Sequence, residues 1–203
     1  MKILRNVGIA LGAIIALLLI VAAFEPAQTQ LEKTIVINKP APEVYAFVSD
    51  LRNFDKWNYW KREKEPTAKV SVSEQYSGVG ATYTWEGTPD NTGTGTMTIA
   101  SVEENKSISQ KMQFKVPREG EAMAGLKLEP VEGGTKVVYW FDGGNASYPV
   151  DRLAAMIFVK PMLNGAYEKS LAFLKQEVES MPSPTPESPK ADEAKTEKKD
   201  AKP

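Results

Sequence analysis

The sequence predicts an α+β domain, a curved antiparallel sheet packed around a long C-terminal helix, preceded by a membrane-spanning segment. Three observations carry that reading. Between Lys69 and Phe141, apolar and polar residues alternate with a period of two, in runs broken by glycine turns. Near the C-terminus Leu163, Tyr167, Leu171, Leu174 and Val178 recur at helical spacing. At the N-terminus, residues 7–24 form an uncharged apolar run.

That run, VGIALGAIIALLLIVAAF, spans roughly 27 Å at about 1.5 Å per residue, close to the thickness of a bilayer's hydrocarbon core. Lys2 and Arg5 precede it, which favours a cytoplasmic N-terminus and an exported remainder, either periplasmic or extracellular. The alternative is a cleaved signal peptide, with Val21-Ala22-Ala23 as the small-residue site and a secreted product. Residues 1–30 are therefore assigned to a transmembrane signal anchor. Residues 181–203 hold Pro, Ser, Ala and balanced charges without an aromatic or β-branched aliphatic residue, the composition of a disordered tail. The folded domain lies between, over 31–180.

Composition narrows the chemistry. Lys and Arg number 25 against 26 Asp and Glu, a net charge of −1, which argues against nucleic acid as the main partner. The chain has neither cysteine nor histidine, which removes thiolate nucleophiles, disulfides, the commonest general base and the commonest metal ligand. No metal and no cofactor are expected.

Within the domain, LEKTIVIN (31–38) reads as a strand. Pro42 then opens a helix whose apolar face is Val44, Phe47, Val48 and Leu51, with Glu43 complementing the positive end of its dipole. A second short helix is expected over Asn53 to Trp60. Along the strands Ala81, Tyr83 and Trp85 share one face, as do Met97 and Ile99. Ile108, Gln110, Met112, Phe114 and Val116 share another, followed by Leu126 with Leu128 and Val137 with Tyr139 and Phe141. The cover is the segment 149–179, which Pro161 divides into a short and a long helix.

The stretches IVINKPAPEVYAFVSDLRNFDKWNYW, SGVGATYTWEG, GTGTMTI and EPVEGGTKVVYW, in this order, resemble the polyketide cyclase/dehydrase branch of the START-like (Bet v 1-like, SRPBCC) superfamily. The resemblance covers roughly 31–178. It implies a helix-grip fold, about seven strands wrapped around the C-terminal helix with a cavity between them, and a hydrophobic or lipid-like small molecule as ligand. It brings no shared catalytic residue. In such a fold Trp57, Tyr59 and Trp60 stand near the cavity mouth. Tyr83, Trp85, Met97, Gln110, Met112, Phe114, Leu126, Tyr139 and Phe141 form its walls, and Met156, Phe158, Met162 and Tyr167 approach from the helix. Aromatic faces and adaptable thioethers suit an apolar ligand of variable shape. Taken singly, each of these side chains is better read as ordinary core, and the case for a site rests on their number and on a fold that leaves a cavity.

Catalysis has weaker support. Asp50 and Asp55 flank a break between helices, where capping is the simpler role, and Glu86 lies opposite Tyr83 and Trp85. The glycines of SGVG and TGTGT do not lie between a strand and a helix, so they read as hairpin turns and not as a phosphate loop. Val138 and Trp140 form an apolar pair on the outward face, which suggests a protein partner or contact with the membrane. The favoured function is a membrane-anchored domain that binds a hydrophobic small molecule or lipid. The alternatives are a cyclase- or dehydratase-like enzyme in the same cavity, and a protein-interaction module with a filled core.

Overall fold

The computed structural model describes residues 2–182; most of the tail expected over 181–203 lies outside them. Helix α1 (Lys2–Phe24) leads into strand β1 (Gln28–Ile37), then α2 (Ala41–Ser49), a 3-10 turn (Leu51–Asn53), α3 (Phe54–Trp57) and a π turn (Trp60–Lys64). Six strands follow: β2 (Lys69–Val72), β3 (Thr82–Glu86), β4 (Thr94–Glu103), β5 (Ser107–Val116), β6 (Gly120–Val131) and β7 (Gly134–Asn145). The described residues close with α4 (Val150–Ala154), a second π turn (Ala155–Val159) and α5 (Lys160–Ser180).

The seven strands form one antiparallel sheet in the order β1-β7-β6-β5-β4-β3-β2. Strand β1 begins at Gln28, earlier than its apolar run suggests, because backbone pairing to Asn145 carries it through polar residues after an irregularity at Gln28/Gln30. Register aligns the inward side chains in rows across the strands. Tyr83, Met97, Met112 and Ala122 make one row; Ile99, Gln110, Ala124 and Phe141 make the next. Against them α5 turns Leu163, Ala166, Tyr167, Leu171, Leu174 and Val178, all buried. This is the helix-grip arrangement, an apolar sheet face covered by one long helix.

The single short helix expected over Asn53 to Trp60 is broken. Asn58 adopts an extended conformation (φ −71°, ψ 115°) and its Oδ1 accepts from the Trp60 amide at 3.2 Å, so Trp57 and Trp60 leave the break in different directions. Asp50 does cap, accepting from the Arg52 amide at 2.9 Å. At the C-terminal end the helical segment is continuous from α4 to α5. Pro161 lacks an amide proton, and the π turn just before it lets the chain continue past that missing bond.

Trp140 does lie on the outer face, over Gly125, its cross-strand partner in register. A Cβ at position 125 would come within 2.8 Å of the indole and 2.2 Å of the Ile108 carbonyl oxygen, so glycine is what lets this ring lie flat on the sheet. Val138 beside it is buried.

Helix α1 is long and apolar enough over Arg5–Phe24 to cross a membrane, and its side chains point almost entirely outward. Among the described side chains of α1 Ala22 is buried, and the helix packs against α4.

Candidate functional site

Between the sheet and α5 lies a cavity of about 290 Å³. That is near the lower end of the range for small-molecule sites. The strands supply Tyr83 and Trp85 from β3, Met97 from β4, Met112 and Phe114 from β5, and Tyr139 and Phe141 from β7. The helical side supplies Val159, Met162, Leu163 and Tyr167, and Trp60 with Phe54 closes one flank. These walls are apolar, with rings in edge contact at Trp85–Phe114 (5.8 Å) and Phe141–Tyr167 (6.4 Å). Tyr139 and Tyr167 stack face to face, 3.9 Å apart and 7° from parallel, and so pin α5 to the sheet at the cavity's base.

Six residues expected around the cavity are not among those that line it. Trp57 is buried behind the cavity, edge-on to Phe54 (4.9 Å) and Tyr139 (5.6 Å), because the break at Asn58 points it into the core. Its indole Nε1 has no hydrogen-bond partner, the one such buried side-chain atom among the described residues. Gln110 and Leu126 face inward as their alternation requires, yet both are packed in the core away from the cavity walls. Tyr59 is half-buried, edge-on to Trp60 (5.4 Å) and under the Lys169 ammonium. Phe158 and Met156 do not line the cavity, and Phe158 is 69% exposed. The π turn advances the helix phase there, so Val159 and Leu163 take the inward positions.

Polar groups are few, and most are already engaged. The Tyr83 hydroxyl donates to Asp55, a pairing not anticipated for either residue. Burial first, then that hydrogen bond and the charge of Asp55, push the Tyr83 phenol far above its usual range. Burial also pushes Tyr139 up to about 12, against a smaller lowering by Tyr167, and raises Tyr167 well above the ordinary phenol value. All three phenols therefore stay neutral at physiological pH. Lys61 reaches the rim but its ammonium is bound to the carbonyls of Pro66 and Ala68. Asn58, buried at the break, puts an amide on the wall.

Sequence reasoning missed Glu65. Its carboxylate accepts from the Thr88 amide (2.8 Å), the Thr92 amide (3.1 Å) and the Thr92 hydroxyl (2.5 Å), which folds the β3–β4 loop back onto the π turn. That loop places Asn91 and Thr92 on the cavity rim, and Trp85 Nε1 donates to the Thr92 carbonyl at 3.0 Å. Within the loop Gly93 has φ +59°, and a Cβ there would meet the Val116 carbonyl oxygen at 1.9 Å. Nothing in a charged stretch such as KREKEP marks one glutamate as the buried one.

The Thr92 hydroxyl foremost, then the Thr88 amide, hold the Glu65 carboxyl down to about 2, against 4.5 for a free glutamate. A depressed folded-state value means the contribution to stability is complete above about pH 4.5 and is lost as pH falls toward 2. Glu65→Gln should therefore melt below wild type at pH 6, with the gap closing as pH falls through that window. A gap of constant size from pH 6 to pH 2 would show that the carboxylate's charge does not hold the loop.

Among the described residues no three acidic, histidine or cysteine side chains are grouped to hold a metal ion. What remains is a neutral, ring-walled cavity in a helix grip, the architecture of the START-like class.

Comparison with known proteins agrees. The sequence matches the family described as polyketide cyclase / dehydrase and lipid transport over residues 28–179, and the chain belongs to that family. No curated protein matches it by sequence. Among solved structures, it is similar to protein CV1439 from Chromobacterium violaceum, at 16% identity over 75% of this chain and 99% of that one, with a TM-score of 0.55. The Aha1 dimer protein from Colwellia psychrerythraea matches at 17% identity over 74% and 96%, TM-score 0.53. The di-domain ARO/CYC StfQ from the steffimycin biosynthetic pathway matches at 12% identity over 75% of this chain and 51% of its own, TM-score 0.57. Likeness at these identities is likeness of fold.

Proposed function

We propose that this chain is a single-pass membrane protein whose START-like domain, on the exported side, binds a hydrophobic or lipid-like small molecule without covalent chemistry. The observation that carries the reading is the cavity itself, about 290 Å³ of apolar, ring- and thioether-walled space between sheet and helix. Burial of an apolar ligand there supplies about 25 cal/mol per Å². Asn58 and the Tyr139–Tyr167 hydroxyls are the groups suited to orient a polar end. Support for the anchor is the outward-facing apolar helix α1, with Lys2 and Arg5 in its first turns favouring a cytoplasmic N-terminus.

An enzymatic reading draws on one observation, the Tyr83–Asp55 pair with the phenol on the cavity wall. A proton donor with its acceptor in place is the minimum for acid–base work on a bound polyketide-like substrate. The neutral, strongly held phenol favours a bracing role, so binding remains the preferred function.

The test is native mass spectrometry of the full chain released from membranes, with the bound small molecules extracted and identified. A stoichiometric apolar compound supports binding, and its conversion on incubation to a product of different mass would favour the enzyme. A chain that is empty, and whose tryptophan emission is unmoved by a panel of apolar probes, would overturn both.

A further inference from the structure

The face of the helical segment around its second π turn is apolar and open to solvent. Ile157 (48% exposed), Phe158 (69%) and Met162 (51%) stand on it with exposed Pro161, at steps of one, four and five that fall on one side of a helix. Val150, 71% exposed, lies on α4 before it. A ridge of this kind on a soluble surface marks a docking site.

Its position says what it docks to. Helix α1 packs against α4, and the Tyr148 hydroxyl donates to the Leu19 carbonyl at 3.2 Å. Leu19 is five residues before the end of α1, so Tyr148 stands about 7 Å inside the apolar end of the span. Just beyond that end, Lys160 pairs with the Glu25 carboxylate at 3.1 Å and Arg152 donates to the Glu25 carbonyl. Lys160 separates Phe158 from Met162, so the ridge is fixed at the level where the span leaves the membrane. An aromatic hydroxyl at the interface, a polar layer and apolar side chains beside it are the features of a segment lying in a lipid surface.

The same end of the domain holds the cavity. Strand β1 starts there at Gln28, paired with Asn145 of β7. Phe141, Phe114 and Trp85 lie toward that end of their strands, while the β6–β7 turn at Glu132 is at the other. Met162 belongs to both features, since it lines the cavity and is half exposed on the ridge.

We infer that the ridge of Ile157, Phe158 and Met162 is immersed in the leaflet from which α1 emerges, and that the cavity opens onto that leaflet at Met162. This rests on α1 spanning the bilayer. The ligand is then a bilayer-soluble molecule that enters from the lipid and not from water.

The chain has no cysteine, so single cysteines carry an environment-sensitive nitrobenzoxadiazole label without background. Four full-length variants are reconstituted in phosphatidylcholine vesicles, Phe158→Cys, Met162→Cys, Ile14→Cys in the span and Glu132→Cys at the far turn. Nitroxide groups on the lipids report depth. The expected result is deep quenching at 14, quenching about 5–10 Å below the headgroup boundary at 158 and 162, and none at 132. A quenched label at 14 with water-like labels at both 158 and 162 would overturn the docking inference and leave the anchor standing. Water-like labels at all four positions would overturn the anchor and the inference together.

Discussion

Trp57→Ala is expected to cost about 3–5 kcal/mol and to lower Tm by roughly 10 °C, measured by thermal melting of the purified chain. Trp57 is 1% exposed and makes edge contacts with Phe54 and Tyr139 at the point where α3, the sheet and α5 meet. Truncating it removes those contacts and leaves a hole that the stacked Tyr139–Tyr167 pair cannot close without unstacking. Trp57→Phe should recover most of the loss. The indole Nε1 has no partner, so phenylalanine keeps a ring in place and gives up no hydrogen bond. A phenylalanine variant as damaged as the alanine one would show that the indole N–H makes a hydrogen bond in the folded protein.

The second large effect is on binding. Met112→Trp should weaken an apolar fluorescent probe by about 100-fold, equivalent to about 2.7 kcal/mol, while changing stability by only about 1–3 kcal/mol. Met112 is half-buried on the cavity wall, next to Met97 and Ala122 in the same row. An indole at that position projects into the space a ligand would take. Its neighbour Gln113 points to the exposed outer face, so Gln113→Trp is the control that adds the same ring to the same strand and leaves affinity unchanged. Unaltered affinity in Met112→Trp, with the fold intact, would place the probe outside the cavity and remove the support for a ligand site there.

The fold was legible because its signals are local and repeated. Period-two alternation in β3 to β7 assigns each side chain a face without knowledge of its partners, and the observed rows follow from it. Tyr83, Met97, Met112 and Phe114 reach the cavity for this reason. Facing inward is a weaker condition than lining an empty space, however. Gln110 and Leu126 satisfy the first and not the second, because the cavity occupies only one end of the grip.

Where the backbone departs from a regular period, sequence reasoning loses phase. The break at Asn58 separates Trp57 from Trp60, and the π turn before Pro161 exchanges Phe158 for Val159 on the inner side. Glu65 was invisible for a different reason, since its role depends on amides in a loop more than twenty residues away. Trp140 stands out in the pattern as an outward apolar residue, but its glycine partner across the strand is a matter of register and not of pattern.

The join between α1 and the sheet is short. Glu25–Ala27 is all that separates helix from strand, and it is held by Lys160, by Arg152 and by the Ala146 amide donating to the Ala27 carbonyl. A domain fastened in this way has no leash. On the proposed reading, with α1 spanning the bilayer, it does not ferry a ligand between two compartments. With α1 in the bilayer and a ligand in the cavity, as proposed above, the domain is a cup held at the membrane, and traffic through it is paced by lateral movement of other molecules past that place.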